Sequence, residues 1–305
     1  MKKKAVTTQP AGPHGVPLDS PDNSAPAISP PAVSRMHRAE DNDAAAAQSP
    51  DFSNDSVKVP DDRLGAGQWI PGISRRHPVR AVLLDIDGTL VDSNDAHAQA
   101  WVRAFQDHNV DVDPAVVRRA IGMGGDQLMP QVSGIEEDSP LGQQIAGRRK
   151  EIFWNEQLSG IKPLAGADRL VAALKQRGLT VVAATSAAGD ELKRLLEIAG
   201  VTLDGATSKD DAEESKPEPD ILHAALARAN VRPDEALMIG DTPYDIDAAT
   251  KARVQTIAFR SGGWSDADLK GAIAIYDGPA DLVEHLDDSP LGARASDNHR
   301  TRPQE

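Results

Sequence analysis

The sequence predicts an α/β fold with a doubly wound parallel sheet and a small helical domain inserted after the first strand. Two observations support this prediction. Between residues 79 and 288, short aliphatic runs bounded by turn residues alternate with stretches of helical period, which is typical of βαβ units. The alternation is interrupted once, from about 94 to 162, where helical patterns occur without a strand.

Five runs have the composition of buried parallel strands, which carry aliphatic residues on both faces. They are AVLLDI (81–86), LTVVAAT (179–185), EALMIG (235–240), VQTIAF (254–259) and AIAIYD (272–277). Four amphipathic stretches are predicted to be the helices between them, and several end at Gly or Asn, which favour helix C-termini. They are 168–178, 189–200, 219–230 and 244–254.

The inserted interval contains patterns such as AHAQAWVRAFQDH and PAVVRRAIG. About 70 residues of helix after the first strand are enough for a small second domain over the sheet. We therefore predict a core domain formed by 79–93 and 163–288, and an inserted helical domain formed by 94–162.

Both ends of the chain have a different composition. Residues 1–78 contain 11 of the 22 prolines and show no sustained period of 2 or 3.6. Such a segment buries too little apolar area to offset its ordering entropy, so we predict disorder there and in the similar tail, 289–305.

Composition also narrows the function. The chain has no cysteine, which excludes disulfides, a thiolate nucleophile and a cysteine-ligated metal. Its net charge of −14 and pI near 5.0 argue against nucleic acid or an anionic membrane as a partner. No run approaches the ~18 apolar residues of a membrane span, and no apolar segment follows the three N-terminal lysines as a signal peptide requires. A soluble, cytoplasmic protein is expected.

The first polar signal follows the first predicted strand, in Asp85-Ile86-Asp87-Gly88-Thr89. Residues two apart on an extended segment point to the same side, so both carboxylates could reach one ligand. Gly88 would allow the backbone to turn sharply and approach that ligand. A strand followed by an ordinary Asp-Gly turn is an equally good interpretation of this stretch alone.

Two more signals could bind an anion. Thr185 and Ser186 follow the second predicted strand, and their hydroxyls could donate to a phosphate oxygen, although a helix-capping hydroxyl is the commoner case. Lys216 stands in Ser-Lys-Pro-Glu-Pro, where two prolines stiffen the loop. A lysine fixed in such a loop could clamp an anion, and a solvated lysine is the alternative.

The fourth signal ends the next strand, in Gly240-Asp241-Thr242-Pro243-Tyr244-Asp245. The two carboxylates lie four residues apart on a predicted helix start. Together with Asp85 they would offer the hard oxygen ligands that Mg²⁺ prefers. Acidic residues that stabilise a helix N-terminus are the alternative explanation.

The motifs DxDGT, Thr-Ser, Lys-Pro and GDxxxD thus occur in one order, each at a predicted strand end. In this order and spacing the chain resembles the haloacid dehalogenase superfamily, specifically members with a small helical cap after the first motif. The resemblance covers about residues 79–288. It implies a Rossmann-like core and the Mg²⁺-dependent hydrolysis of a small phosphorylated metabolite, such as phosphoglycolate or a sugar phosphate.

The resemblance implies roles for five residues in phosphoryl transfer. Asp85 would be the nucleophile that forms an aspartyl phosphate. Asp87 would be the general acid and then the base that activates water. Thr185, Ser186 and Lys216 would bind the phosphoryl oxygens.

The resemblance also implies the ligands of the metal. Mg²⁺ would be held by the carboxylates of Asp85 and Asp241 and by the backbone carbonyl of Asp87. Asp245 would bind the ion directly or orient its waters.

Two other reactions of the superfamily fit less well. Members that cleave carbon–halogen bonds resemble the chain in its nucleophile but typically lack an acid at the position of Asp87, so its presence favours phosphoryl transfer. Members that cleave phosphonates need a desolvated lysine in the cap. Lys150 and Lys162 are available there, but both are expected to be solvated.

Sugar-phosphate mutases are the closest alternative. They resemble this chain in having a histidine at the spacing of His97, which we otherwise expect to pack the cap or act as a hinge. They use an arginine in the cap loop for a second phosphate, whereas the loop here, Gly122-Met123-Gly124-Gly125-Asp126, has none. Its acid, Asp126, is expected to repel a second phosphate, and Gly124 and Gly125 to form a flexible tip facing the substrate.

Two further points concern departures from the family. Arg253 stands where members usually have the glycine that ends the helix after GDxxxD, so some capping stability is expected to be lost. A relative without catalysis, serving as a binding or regulatory protein, would be expected to lose a carboxylate, and all are present. The long N-terminal segment could serve such a protein as a tethering arm.

Overall fold

The computed structural model of the protein describes residues 77–292. The disorder predicted for 1–78 and 289–305 therefore lies almost entirely outside the described residues. At the C-terminal end the predicted boundary is too early, because Ser289 is buried and Leu291 belongs to the hydrophobic core. A single leucine in a polar tail gave no periodic signal from which this packing could be predicted.

The predicted parallel sheet is present and has six strands in the order β5-β4-β1-β6-β7-β8. All neighbouring pairs are parallel. The strands are β1 (Ala81–Leu84), β4 (Thr180–Ala184), β5 (Gly205–Thr207), β6 (Ala236–Gly240), β7 (Gln255–Phe259) and β8 (Ala274–Tyr276). The chain builds outward from β1 in one direction and then in the other, which places a ligand crevice at the carboxyl end of β1.

Helices cover both faces of the sheet, as predicted for a doubly wound fold. The core helices are α5 (Ala167–Gln176), α6 (Gly189–Ala199), α7 (Asp220–Ala229), α8 (Pro243–Lys251) and α9 (Pro279–Glu284). Residues of α7 and α8 form a hydrophobic cluster with Leu83, whereas α5, α6 and α9 share a cluster with Val82 and Leu84. Successive side chains of the fully buried strand β1 point to opposite faces of the sheet, so this strand contributes to the hydrophobic core on both sides. None of the helices between residues 77 and 292 combines the length and apolarity needed to cross a bilayer.

The inserted segment is helical, as predicted. We call residues 94–161 the cap; it contains α1 (Asn94–Asp107), α2 (Pro114–Ala120), α3 (Gly125–Ser133) and α4 (Pro140–Ile152), followed by one π-helical turn, Phe153–Gln157. Two short strands, β2 (Val91–Asp92) and β3 (Lys162–Pro163), pair antiparallel where the chain leaves and re-enters the core. This two-stranded connection was not predicted, because two-residue strands leave no hydrophobic pattern.

The edge strand β5 was also missed. It has only three residues, begins with Gly205, and is partly exposed at its first two positions. Its hydrogen bonds to β4, rather than its composition, make it a strand. Short edge strands of this kind carry little sequence signal because only one side is paired.

The departure at Arg253 has a local structural consequence. Arg253 follows helix α8 with φ +60°, and it is exposed. Its N–H donates to Thr250 O (3.0 Å), and the N–H of Val254 donates to Ala249 O (2.8 Å). These are the two hydrogen bonds of a Schellman motif, in which glycine is preferred because a side chain strains the left-handed conformation.

We predict that Arg253→Gly raises the free energy of unfolding by about 1 kcal/mol, because it removes the left-handed strain from an exposed side chain. Denaturant unfolding of variant and parent measures the difference. Asn230→Gly is the matched control. Asn230 ends α7 at φ +52°, and asparagine tolerates that conformation, so a smaller gain is expected there. Equal effects at the two positions would contradict the interpretation.

Candidate active site

Three neighbouring strands deliver polar side chains to one edge of the sheet. Asp85 follows β1, Thr185 follows β4, and Asp241 follows β6. Because β1 lies between β4 and β6, the carboxyl ends of all three strands meet at one place. The four motifs that the sequence separates by up to 160 residues therefore surround one small volume.

Three carboxylates form a buried cluster there. Asp85, Asp241 and Asp245 each present an oxygen, and these oxygens lie within 4.8 Å of one another. Lys216 is fully buried beside them, and its Nζ donates to Asp85 Oδ1 (2.6 Å) and Asp245 Oδ1 (2.8 Å). Of the two alternatives considered from the sequence, a fixed and a solvated lysine, this geometry corresponds to the fixed one.

Charge in the cluster is unbalanced, because one lysine faces three acids. Burial raises the pKa of Asp85 to about 7, with the repulsion of Asp245 and Asp87 adding to it and Lys216 opposing it. Burial and the charges of Asp85 and Asp245 likewise raise the pKa of Asp241 well above its usual range. Burial alone would lower the pKa of Lys216, but Asp245 and Asp85 outweigh it and raise that pKa.

Neighbouring polar groups fix the orientation of these acids. Asp241 accepts hydrogen bonds from Thr89 Oγ1 (3.2 Å) and Asn94 Nδ2 (2.8 Å). Asp245 accepts from the backbone N–H of Thr242 (3.0 Å) and from its hydroxyl (2.7 Å). The carboxylate groups are thus preorganised by the chain itself.

The donor set fits a hard divalent cation. It offers the carboxylate oxygens that an ion such as Mg²⁺ prefers as ligands. The positive charge of such an ion would also offset the excess of negative charge that raises the pKa values of Asp85 and Asp241. The amide oxygen Oδ1 of Asn94 is also buried there with no hydrogen-bond partner among residues 77–292.

Gly88 is required where the chain turns after β1. Its φ is +72°, and a Cβ at this position would lie 2.1 Å from Asp241 Oδ2 and 2.3 Å from Asn94 Nδ2. The sharp turn predicted from the Asp-Gly pair is present. The close approach at this glycine is to Asp241, so the DxDGT and GDxxxD motifs pack directly on each other.

Asp87 ends a buried chain of hydrogen bonds that crosses into the cap. His97 Nε2 lies 2.7 Å from Asp87 Oδ1, and Arg149 Nη2 lies 2.5 Å from His97 Nδ1. A guanidinium group can only donate, so Nδ1 accepts and Nε2 carries the hydrogen that is given to Asp87. Glu191 of the core accepts from both terminal nitrogens of Arg149, at 2.9 and 3.3 Å. The ring of His97 also stacks on Phe153 at 4.2 Å.

These contacts set the proton affinity of Asp87. Burial raises the pKa of Asp87, but the hydrogen bonds from His97 and Ser93 and the positive charge of the nearby Arg149 outweigh it. The net result is a lowered pKa, so the free carboxyl group is ionised. His97, expected to pack the cap or act as a hinge, therefore contacts a site carboxylate directly.

The two predicted hydroxyls line the same cavity as Asp85. Thr185 is buried, and its Oγ1 accepts from the N–H of Ala187 (3.1 Å), which shapes the loop after β4. Ser186 Oγ is buried with no hydrogen-bond partner among residues 77–292. Both residues line the cavity and leave hydroxyl donors available for a bound anion.

A cavity of about 330 Å³ lies between these groups and the cap. Its walls come from both domains and include Asp85, Asp87, Gly124, Gly125, Trp101, Glu137 and Lys209. A Cβ on Gly124 would lie 2.2 Å from Ser215 Oγ, next to Lys216, and a Cβ on Gly125 would lie 2.7 Å from Glu137 Oε1. The two glycines are therefore sites of close cap packing as well as cavity wall.

The acid that faces the cavity differs from the predicted one. Asp126 was expected to repel a second phosphate, but its Oδ2 accepts from the backbone N–H of Ser215 (3.0 Å), and it does not line the cavity. Glu137 lines it instead. Lys150 of the cap and Lys162, just after it in β3, are exposed as predicted. Neither is a desolvated amine.

The structure places all ten predicted site residues around this volume: Asp85, Asp87, His97, Gly124, Gly125, Thr185, Ser186, Lys216, Asp241 and Asp245. Thr89 of the DxDGT motif donates to Asp241. Sequence reasoning missed Asn94, Glu137, Arg149, Glu191 and Lys209. None of these stands at the end of a predicted strand or in one of the four motifs. The hydrophilic run Arg148-Arg149-Lys150 was the only visible signal, and it does not show which of its residues points inward.

Comparison with known proteins agrees with this arrangement. Residues 82–259, more than half of the chain, match the family described as haloacid dehalogenase-like hydrolase. The phosphoglycolate phosphatase of Rhodospirillum rubrum is 29% identical over an alignment of 219 residues, which covers 68% of this chain and 90% of that protein.

Solved structures of other proteins share the fold of this chain. A hydrolase from Pseudomonas syringae superimposes with a TM-score of 0.64 at 27% identity, covering 68% of this chain and 98% of that one. A protein described as a β-phosphoglucomutase from Bacteroides vulgatus shares the fold, with a TM-score of 0.62 at 24% identity over 69% and 88% of the two chains. From its family match, its fold and its converged motifs, this chain belongs to the haloacid dehalogenase superfamily as a phosphatase-like hydrolase.

Proposed function

We propose that the protein hydrolyses a small phosphomonoester in a Mg²⁺-dependent reaction that passes through an aspartyl phosphate on Asp85. One observation carries the proposal. The Asp85 carboxylate lines a cavity under the cap and lies beside the buried Lys216 and two further acids, and Asp87 lines the same cavity. A nucleophile, a fixed cation and a proton donor are thus available at one point.

In the first step, Asp85 attacks phosphorus and the ester oxygen leaves. Lys216 holds one oxygen of Asp85 at 2.6 Å and so fixes the direction of the nucleophile. The hydroxyls of Thr185 and Ser186, with Lys216, bind the phosphoryl oxygens as charge spreads over them. The unpartnered hydroxyl of Ser186 is the group best placed to gain a partner.

Asp87 protonates the leaving oxygen and afterwards takes a proton from the water that attacks the phosphorus of the aspartyl phosphate. The bond between Asp85 and phosphorus then breaks, which releases inorganic phosphate and restores the carboxylate. The acid step requires a protonated Asp87, whereas the hydrogen bonds from His97 and Ser93 favour its ionised form. An anionic ester bound beside Asp87 raises its proton affinity by repulsion. Substrate binding therefore shifts Asp87 toward the state that the reaction needs.

The metal would be held by Asp85 and Asp241, by Asp245 directly or through water, and by the backbone carbonyl of Asp87. When bound, Mg²⁺ neutralises the clustered carboxylates so that an anionic substrate can approach them. The contacts of Thr89 and Asn94 with Asp241 keep that carboxylate aimed into the cluster.

A sugar-phosphate mutase is the second candidate. The hydrogen bond between His97 and Asp87 favours it, because mutases resemble this chain in that histidine. Against it, the loop 122–126 has no arginine, and Arg149 is already bound by Glu191. A binding protein without catalysis is disfavoured because the complete set of acids converges in one site.

We predict that Asp85→Asn lowers the rate of phosphate release by at least about a thousandfold, since the amide cannot form the aspartyl phosphate. Release of inorganic phosphate from a panel of phosphomonoesters with Mg²⁺ measures the rate, and circular dichroism checks the fold. Asp111→Asn, at an exposed cap position, is the control and should keep full activity. Retained turnover in Asp85→Asn would exclude the nucleophile.

We predict that Mg²⁺ raises the melting temperature of chelator-treated protein, because an ion bound only by the folded state adds about 2.7 kcal/mol at a hundred times its Kd. Asp241→Asn should abolish the shift. Asn94→Ala should weaken metal affinity at least about tenfold, because Asp241 loses an orienting hydrogen bond. Thermal unfolding against Mg²⁺ concentration gives both results, and identical curves for parent and Asp241→Asn would rule out this site.

We predict that Arg149→Met lowers kcat by about ten- to a hundredfold, because His97 loses the donor that sets its tautomer and Asp87 loses its fixed hydrogen bond. Arg148→Met is the matched control. Arg148 lies on the same helix but pairs with Asp107 and Glu151 at the surface. Steady-state kinetics measure kcat for both variants. Equal losses of kcat in Arg149→Met and Arg148→Met would show that only the total charge of α4 matters.

A further inference from the structure

We infer that the cavity selects phosphomonoesters whose leaving group is uncharged and hydroxylated, and that Glu137 and Lys209 impose this preference. The inference rests on the proposed phosphatase function and names its substrate class. It follows from the charges that already occupy the walls of the cavity.

Glu137 and Lys209 meet across the cavity from different domains. Glu137 lies in the cap loop between α3 and α4, and Lys209 lies in a single 3₁₀ turn, Lys209–Asp211, after β5 of the core. Lys209 Nζ donates to Glu137 Oε2 at 2.5 Å, and Asp126 Oδ1 lies 3.8 Å from the same nitrogen. The side chain of Glu137 is 24% exposed and that of Lys209 is 35% exposed, so each keeps atoms open to a ligand.

The cations that border the interior of the cavity are already neutralised. Lys209 is bound by Glu137, and Arg149 is bound by Glu191, whose side chain is 4% exposed. A second anionic group on the substrate would have to displace Glu137 or Glu191 from its cation, and the displaced carboxylate would lose its ion pair in a half-buried or buried position. Lys150 also borders the cavity, but it is exposed, and water and salt screen its charge.

The same pair suits a hydroxyl group. A hydroxyl both donates and accepts, and Glu137 accepts where Lys209 donates. Trp101, Ile121 and Met123 provide an apolar surface on the cavity wall, against which the carbon skeleton of a polyol or sugar can pack. The walls therefore complement a polar but neutral group.

Matched substrates test the inference in the full chain with Mg²⁺. Glycerol 3-phosphate and 3-phosphoglycerate differ only in a hydroxymethyl against a carboxylate, and 2-hydroxyethyl phosphate and phosphoglycolate form a second such pair. We expect kcat/KM for the uncharged member to be at least about tenfold higher, as one unit charge a few ångströms away can produce at a partly exposed site.

Variants assign the effect to the pair. Glu137→Gln keeps the shape but frees the charge of Lys209, so the preference should fall by about tenfold through a gain for the acidic ester. Glu136→Gln removes an equal charge from an exposed neighbour outside the cavity and should leave the ratio unchanged.

The possible results are distinguishable. An acidic ester preferred by the parent chain, or equal ratios in Glu137→Gln and Glu136→Gln, would overturn the inference and leave the phosphatase function in place. No release of phosphate from any ester would overturn the proposed function, and the inference with it.

Discussion

The site depends on the ion pairs of one buried lysine. Lys216 has no exposed surface, and its ammonium group binds Asp85 and Asp245 at the same time. Without it, three carboxylates would face one another in a volume from which water is largely excluded, and their mutual repulsion would force them apart or into protonated forms. Lys216 therefore permits the cluster to form, while its single charge leaves the excess of negative charge that suits a divalent cation.

The cavity is formed by the cap together with the edge of the sheet. The sheet edge supplies the acids, the lysine and the hydroxyls, but the cavity exists because the cap lies over them. Arg149 and Glu137 reach from the cap to Glu191 and Lys209 of the core, and Gly124 packs against Ser215 next to the lysine. The side chains that hold Asp87 and those that line the cavity thus belong to the same set of cap-to-core contacts.

Residues were predicted correctly from the sequence where they stand next to a recognisable pattern, and were missed where no pattern exists. Asp85, Thr185 and Asp241 were predicted because each stands where an aliphatic run stops, and parallel strands bring such positions together. Strand β5 was missed because three residues on an edge have no pattern. Asp126 was assigned to the cavity because it follows the glycine loop, yet its side chain turns to the backbone of Ser215 and Glu137 takes the place beside Lys209.

The sequence by itself determined the layer architecture, the inserted helical segment, the acids at the strand ends and the lysine in its proline-stiffened loop. These depend on local periodicity and on the rule that parallel strands share one carboxyl edge. Only the tertiary structure decided that Arg149 rather than Arg148 or Lys150 supports His97, and that Glu137 meets Lys209. Such choices depend on the angle at which the cap packs on the core, which arises from side-chain packing summed over distant parts of the chain and leaves no periodic trace in the order of residues.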